Sequence, residues 1–143
     1  MCFENEYVKT AYQIAEKAHA GQVDKGGNPY FEHPKYVAEH VDGWKEKCVG
    51  YLHDVIEDTE ITAEDILAAG IPQEIVDAVR VMSHDKSEDY FEYVRRVREN
   101  PLARQVKLAD LEHNSDTRRM GRELTDYDLQ RLEKYKKAME ILK

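Results

Sequence analysis

Apolar residues recur at intervals of three and four along almost the whole chain, which is the spacing of one face of an α-helix. No run of alternating apolar and polar residues is long enough to favour a β-strand. The sequence therefore predicts an all-α protein of about eight helices, in a single domain spanning residues 1–143. The predicted helices fall within residues 5–21, from Pro34 through Val41, within 44–57, from Thr62 to Gly70, from Pro72 through Met82, from Ser87 to before Pro101, within 102–116 and within 125–142. Thr62 with Asp65 resembles a capping box, Thr125 with Asp128 is predicted to cap the last helix, and Ser87 is predicted to cap the helix that follows it.

The composition excludes several classes of protein. With 41% hydrophobic and 35% charged residues, the 143-residue chain is expected to be globular, and no stretch approaches the roughly 18 apolar residues of a membrane helix. A net charge of -8 argues against a nucleic-acid partner. Cys2 and Cys48 form no C-x-x-C pattern, and the amino terminus does not resemble a secretory signal. We expect a cytoplasmic protein without a membrane partner; a homo-oligomer stays open.

The stretch "GYLHDVIEDTE", residues 50–60, places polar groups where a buried helix is predicted. His53 and Asp54 are adjacent, and Glu57 and Asp58 follow one helical turn later. Ionised carboxylates are rarely buried without a compensating cation. The pattern therefore raises the question of which cation lies opposite these acids.

A second polar cluster lies in "VKLADLEHN", where Asp110, His113 and Asn114 are spaced by three and four. His33 immediately precedes a proline that is well placed to open a helix. Two imidazoles with carboxylates suit Mn²⁺ or Fe²⁺, and Zn²⁺ less specifically. One bound divalent metal ion would supply the missing cation.

A less specific interpretation applies to each of these residues taken alone. An isolated His-Asp pair is more often a surface or capping pair than a pair of metal ligands, and it is the second cluster that favours a metal. The remaining polar residues are assigned ordinary roles. His19 is expected to pack or hydrogen-bond beside a loop, His40 to face solvent, and His113 to be a structural hydrogen-bonding residue. His84 could contact substrate, although a position away from it is favoured, and Lys107 and Arg118 are expected on the surface unless they neutralise phosphate.

Three ordered motifs, "HAGQVDKGGNPYFEHP", "GYLHDVIEDT" and "VKLADLEHN", give the chain a family resemblance from about residue 10 to residue 120. The chain resembles the HD-domain phosphohydrolases, and more narrowly the hydrolase domain of the RelA/SpoT group and the small alarmone hydrolases. The resemblance implies an HD-type helical bundle that binds one Mn²⁺ ion. The ligands that it implies are His33, His53, Asp54 and Asp110.

The resemblance also implies a reaction and the residues that perform it. The reaction is hydrolysis of guanosine tetra- or pentaphosphate, (p)ppGpp, to GDP or GTP and pyrophosphate. Glu57 and Asp58 match the family's catalytic pair, which handles water and proton transfer. The residues that match its substrate contacts are Lys25, Tyr30, Asn114 and Thr117.

Two departures from the family pattern leave the substrate open. Asp24 stands where the family usually has an arginine expected to stack on guanine, and Glu112 replaces a basic or apolar residue. The alternatives are therefore an HD phosphohydrolase acting on another nucleotide or on a dinucleotide phosphate, or a non-catalytic nucleotide-binding HD module. The presence of both Glu57 and Asp58 argues against the second alternative, since a pure binding module needs neither.

Overall fold

The computed structural model describes residues 5–24, 27–116 and 123–143. Within these ranges the chain forms nine α-helices and no β-strand, with one isolated bridge between Val23 and Pro29, so the all-α prediction is confirmed. The helices are α1 (Glu6–Ala18), α2 (Glu32–Glu39), α3 (Trp44–Leu52), α4 (Val55–Asp58), α5 (Ala63–Ala68), α6 (Gln73–Met82), α7 (Tyr90–Arg98), α8 (Pro101–Asn114) and α9 (Asp126–Leu142).

The helix predicted over residues 44–57 is divided into α3 and α4 at His53 and Asp54. In a continuous helix the carbonyl of Gly50 would accept the backbone N–H of Asp54. Here it accepts Nδ1–H of the His53 side chain, at 2.6 Å. The helix begins again after the break, where the N–H of Asp58 donates to the carbonyl of Asp54. This division accounts for the ninth helix.

Side-chain caps define several helix ends. Thr62 and Thr125 each open a helix with a reciprocal capping box, as the sequence predicts. The prediction that Ser87 caps the following helix is wrong, because Asp89 accepts the N–H of Glu92 and caps α7. Ser87 instead donates its backbone N–H and its hydroxyl to Asp85.

Helices α2, α3 and α8 pack against one another around the buried core. The close approach of α2 and α3 depends on Gly50, since a Cβ atom at this position would lie 2.8 Å from Cα of Ala38. The predicted site residues His33, Asp54 and Asp110 therefore converge from three parts of the chain. In the described part of the chain, no helix is both long and apolar enough to cross a membrane.

Candidate metal centre

The four predicted ligands lie together in the interior. Nε2 of His33 is 2.7 Å from Oδ1 of Asp110, and Nε2 of His53 is 3.5 Å from the same oxygen. Oδ2 of Asp54 lies 3.1 Å from Nε2 of His53 and 4.0 Å from Nε2 of His33. The structure thus brings together side chains that are far apart in sequence, with both imidazoles aimed at both carboxylates.

The orientation of His53 is set by the backbone of α3. Its Nδ1–H donates to the carbonyl of Gly50, so a neutral ring carries its lone pair on Nε2. This Nε2 atom is fully buried, has no hydrogen-bond partner and faces the oxygens of Asp54 and Asp110. A lone pair facing two carboxylates is unfavourable unless a proton or a cation lies between them.

Each oxygen of Asp110 has its own partners. Oδ2 pairs with Nζ of Lys107 at 2.9 Å, while Oδ1 faces the two imidazoles and accepts a hydrogen bond from the amide of Asn114 at 3.1 Å. The side chain of Lys107 is 13% exposed and its ammonium lies over the ring of Tyr93. Lys107 is therefore an interior ion-pair partner, and its placement on the surface is corrected.

The charges of this cluster are strongly coupled. Burial raises the pKa of Asp54, but the neighbouring His53 outweighs burial and lowers this pKa to about 2. Burial likewise opposes ionisation of Asp110, yet Lys107 and the bond from His33 hold the pKa of Asp110 well below its usual range. Burial lowers the pKa of His53, and the charge of Asp54 reverses this and raises it well above its usual value. Both carboxylates are thus ionised, and in the metal-free protein they are balanced by Lys107 and by a proton on His53.

These residues fit a divalent metal ion. Among the described residues, His33, His53 and Asp54 each offer one ligand atom, and these three atoms lie within 4.8 Å of one another. The unpartnered Nε2 of His53 and the ionised carboxylates form a mixed nitrogen and oxygen donor set of the kind that Mn²⁺, Fe²⁺ and Zn²⁺ accept. Asp110 lies outside this group of three, but its Oδ1 is 2.7 Å from Nε2 of His33.

The acidic pair lies beside this cluster, on the short helix α4. Glu57 and Asp58 are exposed, whereas Val55 in the same helix is buried and anchors it. Oε1 of Glu57 accepts the backbone N–H of His84 at 3.2 Å. Although both residues are exposed in part, desolvation of their carboxyl groups by the surrounding protein and the charge of Asp54 raise the pKa values of both acids. The pair is therefore accessible from solvent and more easily protonated than ordinary carboxylates.

Tyr30 reaches the same carboxylates from the loop before α2. Its hydroxyl donates to Oδ2 of Asp54 at 2.6 Å and lies 3.3 Å from Oδ2 of Asp58. Burial and the charge of Asp54 raise the pKa of Tyr30, so the hydroxyl keeps its proton. Tyr30 therefore links the predicted ligand Asp54 to the acidic pair, while its contact with substrate stays a prediction.

Asp24 belongs to the turn that carries the loop. Its Oδ1 accepts the backbone N–H of Asn28 at 3.0 Å, and its own N–H donates to the carbonyl of Asn28 at 2.8 Å. The N–H of Gly27, which has a φ of 83°, donates to the carbonyl of Asp24. The carboxylate of Asp24 thus holds the turn closed. Of the predicted substrate contacts, Lys25 and Thr117 lie outside the described residues, as does Arg118.

His19, His40 and His113 lie as the sequence predicts, whereas the position of His84 relative to substrate stays a prediction. His19 is buried beside Tyr30 and hydrogen-bonds Gln22, and His40 is exposed. His84 contacts the carbonyl of Glu88 through Nε2. His113 is buried, as expected of a structural residue, and its hydrogen-bond partner is the ring of His33.

Sequence reasoning did not assign the supporting roles of Gly50, Lys107 and the backbone of His84. Spacing offered one signal, because Lys107 lies one helical turn before Asp110 on α8. Gly50 gave a weaker signal as a glycine within a predicted helix, three residues before His53. The contact of the His84 backbone with Glu57 spans 27 residues and has no local signature.

No family model matches the chain, but curated proteins and a solved structure do. The chain is 33% identical over 149 residues to a GTP pyrophosphokinase of Streptomyces coelicolor, covering 94% of this chain and 16% of that protein. It is 30% identical over 132 residues to a guanosine-3′,5′-bis(diphosphate) 3′-pyrophosphohydrolase of Borreliella burgdorferi, covering 80% of this chain and 19% of that protein. It is 33% identical over 124 residues to the bifunctional (p)ppGpp synthase/hydrolase SpoT of Escherichia coli, covering 77% of this chain and 18% of that protein. The chain thus spans less than one fifth of each of these relatives.

The fold matches that of a metazoan ortholog of SpoT that hydrolyzes ppGpp, with a TM-score of 0.77 and 24% identity. The match covers 100% of this chain and 89% of that chain. The helical bundle and its buried His–Asp cluster define an HD-type domain. Together with the sequence relatives, the shared fold confirms the resemblance found in the sequence: the chain is a RelA/SpoT hydrolase-like domain.

Proposed function

We propose that this protein is a metal-dependent phosphohydrolase that removes pyrophosphate from the 3′ position of guanosine tetra- and pentaphosphate. The products would be pyrophosphate and GDP or GTP. The observation that carries the proposal is the convergence of His33, His53, Asp54 and Asp110, with Glu57 and Asp58 one turn away. The names of the relatives from Borreliella burgdorferi and Escherichia coli support guanosine 3′,5′-bis(diphosphate) as the leading substrate.

His33, His53, Asp54 and Asp110 would hold one divalent ion, with Mn²⁺ as the leading candidate. Such an ion supplies positive charge for the phosphate oxygens and lowers the pKa of a water molecule. The contacts of these side chains prepare them for this role. Gly50 directs the Nε2 lone pair of His53 into the cluster, and Lys107 occupies the outer oxygen of Asp110.

Glu57 and Asp58 would manage the protons of the reaction. In hydrolysis at the 3′ position, a water oxygen bonds to phosphorus while the bond from phosphorus to the 3′ oxygen breaks. One proton leaves the water, and one reaches the departing 3′ oxygen. Glu57 is the better candidate for the first step, because Asp58 already faces the hydroxyl of Tyr30.

A turnover screen tests the proposed substrate. The full chain loaded with Mn²⁺ is assayed for pyrophosphate release from guanosine tetra- and pentaphosphate, and for phosphate release from other nucleotides and from nicotinamide dinucleotide phosphate. Asp54→Ala should abolish turnover, whereas the exposed Asp42→Ala is a matched control that should retain it. Preferred turnover of another phosphate compound would replace the proposed substrate. Nucleotide binding without any turnover would favour the non-catalytic module.

Elemental analysis tests the proposed metal. Purified protein is loaded with Mn²⁺, Fe²⁺ or Zn²⁺, and bound metal is measured per chain. One ion per chain that is lost in Asp54→Ala supports the site; no stoichiometric metal, or full binding by that variant, contradicts it. We propose a cytoplasmic protein without a nucleic-acid partner, and light scattering of the same samples determines whether it is a homo-oligomer.

A further inference from the structure

Both ring nitrogens of His33 are held by the same helix. On one side, Nε2 of His33 lies 2.7 Å from Oδ1 of Asp110. On the other side, Nδ1 of His33 lies 2.6 Å from Nδ1 of His113, one helical turn further along α8. The planes of the two imidazoles differ by only 7° and their centroids are 4.9 Å apart, so the rings meet edge to edge. All three side chains are buried.

This contact constrains where the protons lie. A hydrogen bond between two Nδ1 atoms needs one proton, so one ring donates and the other accepts. If Nε2 of His33 binds a metal as a neutral imidazole, the proton of His33 must be on Nδ1. His113 must then accept through Nδ1 and carry its own proton on Nε2. The two rings therefore have complementary tautomers in the metal-bound protein.

The aromatic neighbours fix the ring of His113 in this orientation. Tyr36 lies against His113 with centroids 3.9 Å apart and planes within 14°. His40 stacks on Tyr36, with centroids 3.7 Å apart, and its Nδ1 contacts the carbonyl of Tyr36. The rings of His113, Tyr36 and His40 thus form a stacked column that extends from the buried His113 to the exposed His40. Tyr36 of α2 thereby holds the ring of His113 in place.

We propose that His113 is a positioning residue that accepts Nδ1–H of His33 and so selects the tautomer of His33 whose Nε2 can bind the metal. This inference rests on the proposed function, because it takes His33 as a ligand. Metal-binding histidines usually donate their second ring N–H to a carboxylate, a carbonyl or water, and loss of such a partner typically weakens metal binding about 10- to 100-fold. Here the acceptor is a second imidazole.

Metal affinity of the full chain tests this role, measured by chelator competition with Mn²⁺ and Zn²⁺. His113→Phe keeps a ring against Tyr36 but has no acceptor, and it should bind about 10- to 100-fold more weakly. His113→Asn can present its amide oxygen near the former Nδ1 position and should bind within a few-fold of wild type. His40→Phe is the matched control, since it alters the same column without touching His33, and its affinity should be unchanged.

The outcomes separate this inference from the proposed function. His33→Ala should lose metal; a wild-type affinity in that variant would overturn His33 as a ligand, and with it this inference. If His33→Ala loses the metal but His113→Phe binds it with wild-type affinity, only the proposed role of His113 is overturned. A second measurement does not depend on the folding of any variant. Nitrogen-15 spectra of the Zn²⁺-loaded wild type should show His113 protonated on Nε2, and protonation on Nδ1 would contradict the proposal.

Discussion

Lys107 and Asp110 form an ion pair in the interior of the bundle, with Nζ and Oδ2 2.9 Å apart and side chains only 13% and 7% exposed. The pair lies directly behind the candidate metal centre, because the other oxygen of Asp110 faces His33 and His53. A buried carboxylate that loses its cation is strongly destabilising. Lys107 is therefore expected to stabilise the site when no metal is bound.

The first prediction is that Lys107→Met lowers the stability of the metal-free protein by about 3–5 kcal/mol. The matched control is Lys45→Met, which removes the cation of the exposed pair with Glu74 and should cost about 1 kcal/mol or less. Denaturant unfolding of both variants measures the difference. Added metal should stabilise Lys107→Met more than wild type, since the ion replaces the lost charge. Equal losses in the two variants would contradict the prediction.

A second prediction concerns the packing of α2 on α3. Gly50→Ala places a Cβ atom 2.8 Å from Cα of Ala38, and overpacking of this kind costs about 1–3 kcal/mol. It should also weaken metal binding, because the carbonyl of Gly50 orients His53. Adding Ala38→Gly removes the contact with Cβ of Ala38 but leaves the contacts with its backbone. The double variant should therefore recover neither stability nor metal affinity. Recovery of stability and metal affinity in the double variant would show that only a side-chain clash was involved.

The third prediction assigns proton transfer to Glu57. Glu57→Gln should keep the metal but lower kcat about 10²- to 10⁴-fold, because the amide cannot accept the proton. Glu60→Gln, on the exposed surface after α4, is the matched control and should keep full activity. Steady-state kinetics and metal analysis of the same preparations provide the measurement. Unchanged kcat in Glu57→Gln would show that Asp58, or no side chain at all, accepts the proton of the water.

A fourth prediction follows from the raised pKa of Glu57. Desolvation of its carboxyl group and the charges of Asp54 and Asp58 raise this pKa, while the hydrogen bond from the N–H of His84 lowers it by less. Because Asp54 is also a proposed metal ligand, this prediction applies to the metal-free protein. In the metal-free protein the ionised form is disfavoured in the fold, so Glu57→Gln should raise Tm above this pKa. The difference in Tm should vanish below the pKa of the unfolded chain, where Glu57 is protonated in both states. A constant difference across pH would contradict this linkage.

The fifth prediction separates the charge of Asp24 from its hydrogen bond. Asp24→Asn keeps an oxygen for the N–H of Asn28 but removes a negative charge from the loop beside Tyr30, so KM for guanosine tetraphosphate should fall with little change in kcat. Asp24→Ala also loses the charge, but it loses the hydrogen bond that closes the turn as well. Its KM for guanosine tetraphosphate should therefore not fall in the same way. Kinetics on guanine and adenine 3′-pyrophosphates measure both variants. Unchanged KM in Asp24→Asn would show that the carboxylate acts only within the turn.

Apolar periodicity was sufficient to predict the helical class, and the threonine–aspartate spacing predicted the caps at Thr62 and Thr125, because both depend on neighbours within one or two turns. The break at His53 was not predicted, since the apolar stripe continues through Val55 and nothing in the local spacing indicates that the His53 side chain bonds to Gly50. The burial of Lys107 depends on Tyr93 of another helix, and this contact has no local signature.

The polar residues of the site could be predicted because they interrupt an apolar stripe, and the family resemblance implied that four of them converge, but the contact of His33 with His113 was not predicted. His33 and His113 are 80 residues apart, and no spacing along either helix indicates that their rings meet. The hydrogen bond by which Asp24 closes its turn was equally hidden, because an aspartate in a glycine-rich loop suits a surface position as well as a hydrogen-bonded one.

The distance in sequence between His33 and Asp110, 77 residues, has a consequence for biosynthesis. A polypeptide growing on the ribosome exposes His33, then His53 and Asp54, well before the segment of α8 emerges. Until then the two imidazoles lack the second carboxylate, and His33 lacks the ring of His113. The candidate metal centre can therefore be completed only after α8 has emerged, and a chain interrupted before α8 would have an incomplete set of the predicted ligands.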